Sequence, residues 1–137
     1  MNLNNLSDIL HKLRNIEYKL THNFEDKTGF SLTRYQILNF IKDNDECNQE
    51  EIKQFMQIDR SAITRHLKIL EEKNYVTRKR NKENAREIIV SLSDFAKSEL
   101  EKCHRKHNSN SDILPINISK NQLNTLIELL NTIEDEI

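Results

Sequence analysis

Asp59-Arg60-Ser61-Ala62-Ile63-Thr64-Arg65-His66-Leu67-Lys68-Ile69-Leu70-Glu71-Glu72-Lys73 is the stretch on which the fold turns. At about 100° per residue, Ile63, Leu67 and Leu70 share one face of a helix, whereas Arg60, Ser61, Thr64, Arg65 and Lys68 occupy the opposite arc. Asp59 stands at the capping position, and the helix is expected to run to about Lys73. One face suits a core and the other a polar partner. Immediately upstream, Asn48 and Glu51 have capping-box spacing and open a short helix carrying Ile52, Phe55 and Met56. Two short helices joined tightly through Gln57 and Ile58 make a helix-turn-helix candidate.

Past Asn74 the period changes. Tyr75 to Arg80 is compatible with a strand, Asn81 to Ala85 is polar, and Ile88, Val90 and Leu92 alternate with Glu87, Ile89 and Ser91, which reads as a β-hairpin. From Lys73 to Arg86 there are six basic residues (Lys73, Arg78, Lys79, Arg80, Lys82 and Arg86) against one acidic residue, Glu83, in a chain whose formal net charge is −1. The positive charge is local. Double-stranded DNA needs both features found here: a helix exposing donors and acceptors to the major groove, and cations that neutralise phosphates beside it. Arg60 and Arg65 are suited to guanine edges or phosphates, and Ser61 and Thr64 to a backbone oxygen or a base edge. Arg86, near the hairpin tip, is placed to enter a minor groove narrowed by A·T-rich sequence. Lys79, Arg80 and Lys82 are assigned to phosphates.

Working outward, Leu3, Leu6, Leu10, Leu13, Leu20 and Phe24 form one stripe of a long amphipathic helix that Gly29 breaks. A second helix is expected to start at Thr33, with Gln36 three residues on, and to be followed by a polar turn from Asp43 to Cys47. Ser93 is placed to cap a helix with Phe95, Ala96, Leu100 and Cys103, ending before Pro115. Ser119 with Gln122 opens the last one, whose stripe is Leu123, Leu126, Ile127, Leu130, Ile133 and Ile137. Both terminal stripes are expected to be divided between an intramolecular core and a dimer interface. With 137 residues, one Gly and one Pro, a single mainly α domain is expected. No apolar run reaches the roughly 20 residues of a membrane span and no secretory signal pattern is present, so a cytoplasmic protein with no membrane partner is expected. Cys47 and Cys103 form no disulfide framework.

The run from Asp59 to Arg80, followed by Asn84-Ala-Arg-Glu-Ile-Ile-Val-Ser-Leu-Ser93, resembles the recognition helix and wing of the MarR family of transcriptional regulators, and the order of elements agrees across nearly the whole chain. The resemblance implies a winged helix-turn-helix with a two-stranded β wing and N- and C-terminal dimerisation helices. Residues 1–28 and 111–137 would be the dimerisation helices, 31–93 the winged helix-turn-helix and 94–110 a linking helix. It further implies a homodimer on a pseudo-palindromic operator, most simply a repressor, and a small aromatic effector that releases DNA. Asn74 stands where the family usually has Gly, Asn84 where it has the Asp that orients the wing arginine, and Ser93 and Ala96 where it has Thr and Gly.

Other readings of the same residues stay open. A winged-helix protein-interaction module would share the fold, although it calls for an acidic or apolar recognition face, and Arg60, Arg65 and Lys68 oppose that. Cys103, His104 and His107 lie within two helical turns, the spacing of a metal-responsive site, yet no carboxylate is positioned to complete the set; no metal or other cofactor is expected. Cys47 precedes a helix start whose amides favour thiolate and a redox role, while Asp45 and Glu46 oppose it. His66, at the edge of the inner face, is assigned to packing or to a phosphate. There is no Gly-rich phosphate loop, nucleophile motif or pair of acids spaced for shared chemistry, so no enzyme is expected.

Overall fold

The computed structural model describes residues 1–108 and 116–137. The expected helix end before Pro115 and the boundary between residues 110 and 111 lie outside the described residues. Helix α1, Leu3–Thr28, begins at Asn2, whose side chain accepts from the Asn5 amide, and stops at Gly29 with φ +75°. That left-handed turn costs glycine nothing. Helix α2, Leu32–Asp43, is capped by Ser31 rather than Thr33, its hydroxyl accepting from the Arg34 amide. The Leu32 amide is met by Glu25 Oε2 of α1 at 2.8 Å, so the helix start is set two residues earlier than the Thr33/Gln36 spacing implies.

The expected polar turn from Asp43 to Cys47 is corrected in part. Glu46–Asn48 is a strand, β1, antiparallel to β3, Ile88–Leu92, with Cys47 opposite Val90. Strand β2, Val76–Arg80, pairs with the other edge of β3, giving the order β1-β3-β2. The expected two-stranded wing is β2 and β3, and β1 ties its inner strand to the helix-turn-helix. Helix α3, Gln49–Met56, has the full Asn48/Glu51 capping box. Helix α4, Arg60–Glu72, has Asp59 at its cap position, but the Asp59 side chain makes no capping bond; only its carbonyl enters the helix, accepting from the Ile63 amide. Helix α5 is Asp94–Asn108 and α6 is Lys120–Glu136, the latter with the Ser119/Gln122 capping box.

Ile37, Leu38 and Ile41 of α2, Ile52 of α3, Ile63 and Leu67 of α4 and Val90 of β3 are fully buried, and Leu70, Val76, Leu92, Ala96 and Leu100 close the cluster. At about 1.5–3 kcal/mol for each large aliphatic side chain, this single core accounts for the stability of the winged unit. It stops there. No residue of α1 or α6 is buried, but Leu20 and Phe24 at the end of the α1 stripe are half-buried and Phe24 packs edge-on against Tyr35 of α2, so the expected sharing with an intramolecular core is found at the end of α1 and is corrected for α6. Leu6, Ile9, Leu10, Leu13 and Ile16 are 43–53% exposed, and Leu123, Leu126, Ile127, Leu130 and Ile133 are 40–55% exposed.

Candidate nucleic-acid interface

Burying Ile63, Leu67 and Leu70 turns the other arc of α4 outward, so Arg60, Ser61, Thr64, Arg65 and Lys68 are all exposed on one surface. The Thr64 hydroxyl donates to the Arg60 carbonyl at 2.9 Å, which leaves its lone pairs for an external donor. Arg60 Nη2 pairs with Glu50 Oε2 of α3 at 2.9 Å. Desolvation acts upward on the Glu50 carboxyl, but Lys53, Gln54 and Arg60 together hold it below the usual range. His66 is half-buried and its Nδ1 lies 3.4 Å from Arg34 Nη1 of α2. Burial, then Arg34 and Arg65, depress its pKa, so the neutral ring is favoured.

On the wing, Lys79, Arg80, Lys82 and Arg86 are exposed. Arg80 Nη1 donates to the Ala85 carbonyl across the loop at 2.9 Å, so this guanidinium shapes the wing as well as charging it. Arg78 faces the other way and grips Glu71 at the end of α4 with two hydrogen bonds, 3.1 and 3.3 Å. Those bonds hold the Glu71 carboxyl below its ordinary range and remove Arg78 from the available cations. Among the described residues no ion pair neutralises Arg65, Lys68, Lys79, Lys82 or Arg86. A cleft of about 620 Å³ separates α4 from the wing and is lined by Asn48, Gln49, Glu50, Arg60, Ile63, Thr64, Asn84, Arg86, Glu87 and Ile88. It brings together Arg60, Thr64 and Arg86, which lie on two elements.

Sequence reasoning passed over the acidic and amide residues of this surface: Glu50, Glu71, Glu87 and the second role of Asn48. Their partners on other elements lie 6 to 39 residues away, and no local period marks such pairs. The cysteines are settled more simply. Cys47 is buried on β1, and burial, Glu51 and Glu46 push its thiol up to about 11, the environment of an inert structural thiol. Cys103 is also shifted upward, mainly by burial. Cys103, His104 and His107 all lie on α5 but differ in environment: His107 is buried, Cys103 half-buried, and His104 exposed against the Asn108 amide. Among the described residues no three His, Cys, Asp or Glu side chains are grouped to hold a metal.

Residues 30–88 match the family model described as the MarR family. A Bacillus subtilis (strain 168) protein, the uncharacterized HTH-type transcriptional regulator YdgJ, is 30% identical over 131 residues, covering 96% of this chain and 80% of that protein. The chain belongs to the MarR family. The HTH-type transcriptional regulator SarZ of Staphylococcus epidermidis is 33% identical over 69 residues, which cover 50% of this chain and 47% of SarZ. Among solved structures, a mutant MarR from E. coli complexed with operator DNA superposes with a TM-score of 0.83 at 22% identity, covering 97% of this chain and 99% of that one. The transcriptional repressor CouR bound to a 23-mer DNA duplex gives 0.82 at 21% identity, with 98% of each chain covered. At these identities the superpositions establish the shared fold.

Three of the four departures of this MarR-family chain have physical accounts. Asn74 adopts φ +63°, the left-handed turn that Gly would otherwise supply and that Asn tolerates. Ser93 caps α5 by accepting from the Ala96 amide at 3.0 Å and also donates to the Asn74 carbonyl at 2.6 Å. Asn84 accepts from the Arg86 backbone amide at 3.2 Å. It orders the backbone of the wing arginine rather than its guanidinium.

Proposed function

We propose that the protein is a cytoplasmic, sequence-specific DNA-binding transcription regulator that acts as a homodimer and represses by occluding a promoter. The observation that carries this reading is the convergence of Arg60 and Thr64 of α4 with Arg86 of the wing around one open cleft. In the dimer, two α4 helices enter major grooves about one helical turn apart on a pseudo-palindromic site, with Arg60, Ser61, Thr64, Arg65 and Lys68 in the groove. Lys79, Arg80 and Lys82 hold phosphates, and Arg86 enters the flanking minor groove. Two proteins of the same fold, a mutant MarR and CouR, are complexed with operator DNA and with a 23-mer duplex, which supports the DNA-binding reading. The exposed stripes of α1 and α6 supply the dimer interface. No helix of the described residues is long and apolar enough to cross a membrane, and the role assigned is regulation rather than catalysis.

A small aromatic effector fits the same scheme. A hollow of about 190 Å³ lies where α1, α2, α4 and α5 meet, with Phe30 and Tyr75 as aromatic walls, Arg34 and Lys73 as cations and Glu99 as an anion. That volume is on the order of the ~150 Å³ that accommodates a benzene ring. A small aromatic molecule seated there would wedge between the α1–α2 joint and the end of α4 and favour a spacing of recognition helices that no longer fits the operator.

The test is fluorescence anisotropy of the purified protein with the duplex flanking its own gene and with a scrambled duplex, over a salt series. A preference of about 10³ or more with steep salt dependence is expected. Weak, salt-independent binding to both duplexes would favour the protein-interaction module instead.

A further inference from the structure

Glu87 is a carboxylate inside a cationic surface. It lines the same cleft as Arg60 and Arg86, next in sequence to the arginine assigned to the minor groove, where a free negative charge would repel phosphate. Its two oxygens are both engaged. Oε1 accepts from Asn48 Nδ2 at 2.7 Å, and Oε2 accepts from Asn81 Nδ2 at 3.1 Å. Asn81 begins the wing loop just after β2, and Asn48 is the cap of α3, where its Oδ1 accepts from the Glu51 amide at 2.8 Å. The Asn48 amide can satisfy both bonds in only one orientation, with oxygen to the helix and nitrogen to the wing. The backbone closes around the same point, with the Asn81 amide donating to the Glu87 carbonyl at 2.9 Å and the Glu87 amide donating to the Asn84 carbonyl at 3.0 Å. Hydrogen bonds to an ionised acceptor are the strong kind, and the two Asn donors hold the Glu87 carboxyl below its ordinary range.

We propose that Glu87 is the positioning residue that latches the wing to the start of α3, fixing the distance between Arg86 and the recognition helix and so the site length the protein accepts. The step from latch to site selection rests on the DNA-binding reading; the latch itself does not. Without the carboxylate, the wing remains a β2–β3 hairpin but loses its side-chain tie to the helix-turn-helix. The minor-groove contact then no longer keeps a set spacing from the major-groove contacts.

Two variants break the Asn48–Glu87 bond from opposite ends. Glu87→Met keeps the length of the side chain and has no acceptor oxygen for either asparagine. Asn48→Ser keeps an α3 cap and lacks the donor that reaches Glu87. Hydrogen exchange on the free protein reads the latch directly: amides of residues 81–88 are expected to exchange about tenfold faster in both variants, while α2 and α4 are unchanged. Unchanged wing exchange overturns the latch whether or not the protein binds DNA. In vitro selection from a random duplex library then reads the consequence. Wild type is expected to enrich sites with an A·T-rich flank at one fixed spacing, and both variants to keep the central bases while losing the fixed flank. Faster wing exchange with undiminished flank selection overturns the positioning role, as does parallel loss of centre and flank. Failure of the wild type to enrich any site would count against the DNA-binding reading and the positioning role together, leaving the exchange result to stand for the latch alone.

Discussion

Arg86 and Lys79 sit on one wing and are both exposed, yet they differ in what surrounds them. Arg86 borders the cleft beside α4, whereas Lys79 lies on β2 in a shallow hollow with Glu71, Arg78, Arg80 and Ile88. Arg86→Ala is expected to weaken binding and blunt preference for A·T flanks. Lys79→Ala is expected to weaken all duplexes alike and to reduce the slope of log K against log salt by about one unit. Equal changes in both respects would refute this division. Another residue-scale expectation concerns His66. Its pKa is depressed in the fold, first by burial and then by Arg34 and Arg65, so the unfolded chain takes up a proton more readily. The stability this confers is present above the unfolded value of 6.5 and is lost as pH falls below it. Denaturant midpoints from pH 8 to 5 should therefore decline below about pH 6.5, and His66→Gln should flatten that part of the profile. A variant with the same decline as wild type would assign it to other groups. None of this was legible at His66 itself: helical spacing placed it at the edge of the inner face, but Arg34 lies 32 residues away.

At the scale of elements, legibility follows the range of the interactions that make each one. The capping boxes at Asn48/Glu51 and Ser119/Gln122 are written within four residues and are found in place. The inward face of α4 is likewise local, since the period of the helix alone selects Ile63, Leu67 and Leu70. The start of α2 is not, because Glu25 of the preceding helix caps it from seven residues away. Strand β1 is three residues long with only Cys47 buried, too short for alternation to show, and it exists because β3 offers an edge more than 40 residues later. The turn between α4 and β2 was legible through its chemistry. Asn74 at φ +63° can be tested by exchange for Ala and for Gly. Asn74→Ala is expected to cost about 1 kcal/mol, and Asn74→Gly to lie within about 0.5 kcal/mol of wild type, in urea denaturation. An Ala variant as stable as wild type would mean that the turn relaxes out of the left-handed region.

Over the whole molecule two kinds of surface are separated. A cationic face carries the α4 arc and the wing, although the net charge is −1, and the apolar stripes of the terminal helices lie outside the buried core. The first concentrates a field that draws in a polyanion and falls with salt. The second must be covered for the protein to remain dispersed, and a two-fold pairing of α1 and α6 with their copies covers both stripes at once. Leu126 and Leu130 stand one turn apart on α6 and are each 45% exposed. Replacing both with Glu removes two apolar contacts per chain, four per two-fold interface. Even at about 1 kcal/mol each, well under the value of full burial, the loss is about 4 kcal/mol, roughly a thousandfold in the dimer dissociation constant. Sedimentation equilibrium at micromolar concentration should then show a monomer. Because neither residue belongs to the core around Ile37, Ile63 and Val90, the winged unit should keep its near-ultraviolet dichroism and its hydrogen-exchange protection in α2 and α4. DNA binding should fall to that of a single half-site, with about half the wild-type salt slope. A double variant that still sediments as a dimer would place the interface elsewhere, and one that unfolds would mean that α6 supports the winged unit through contacts other than the buried core.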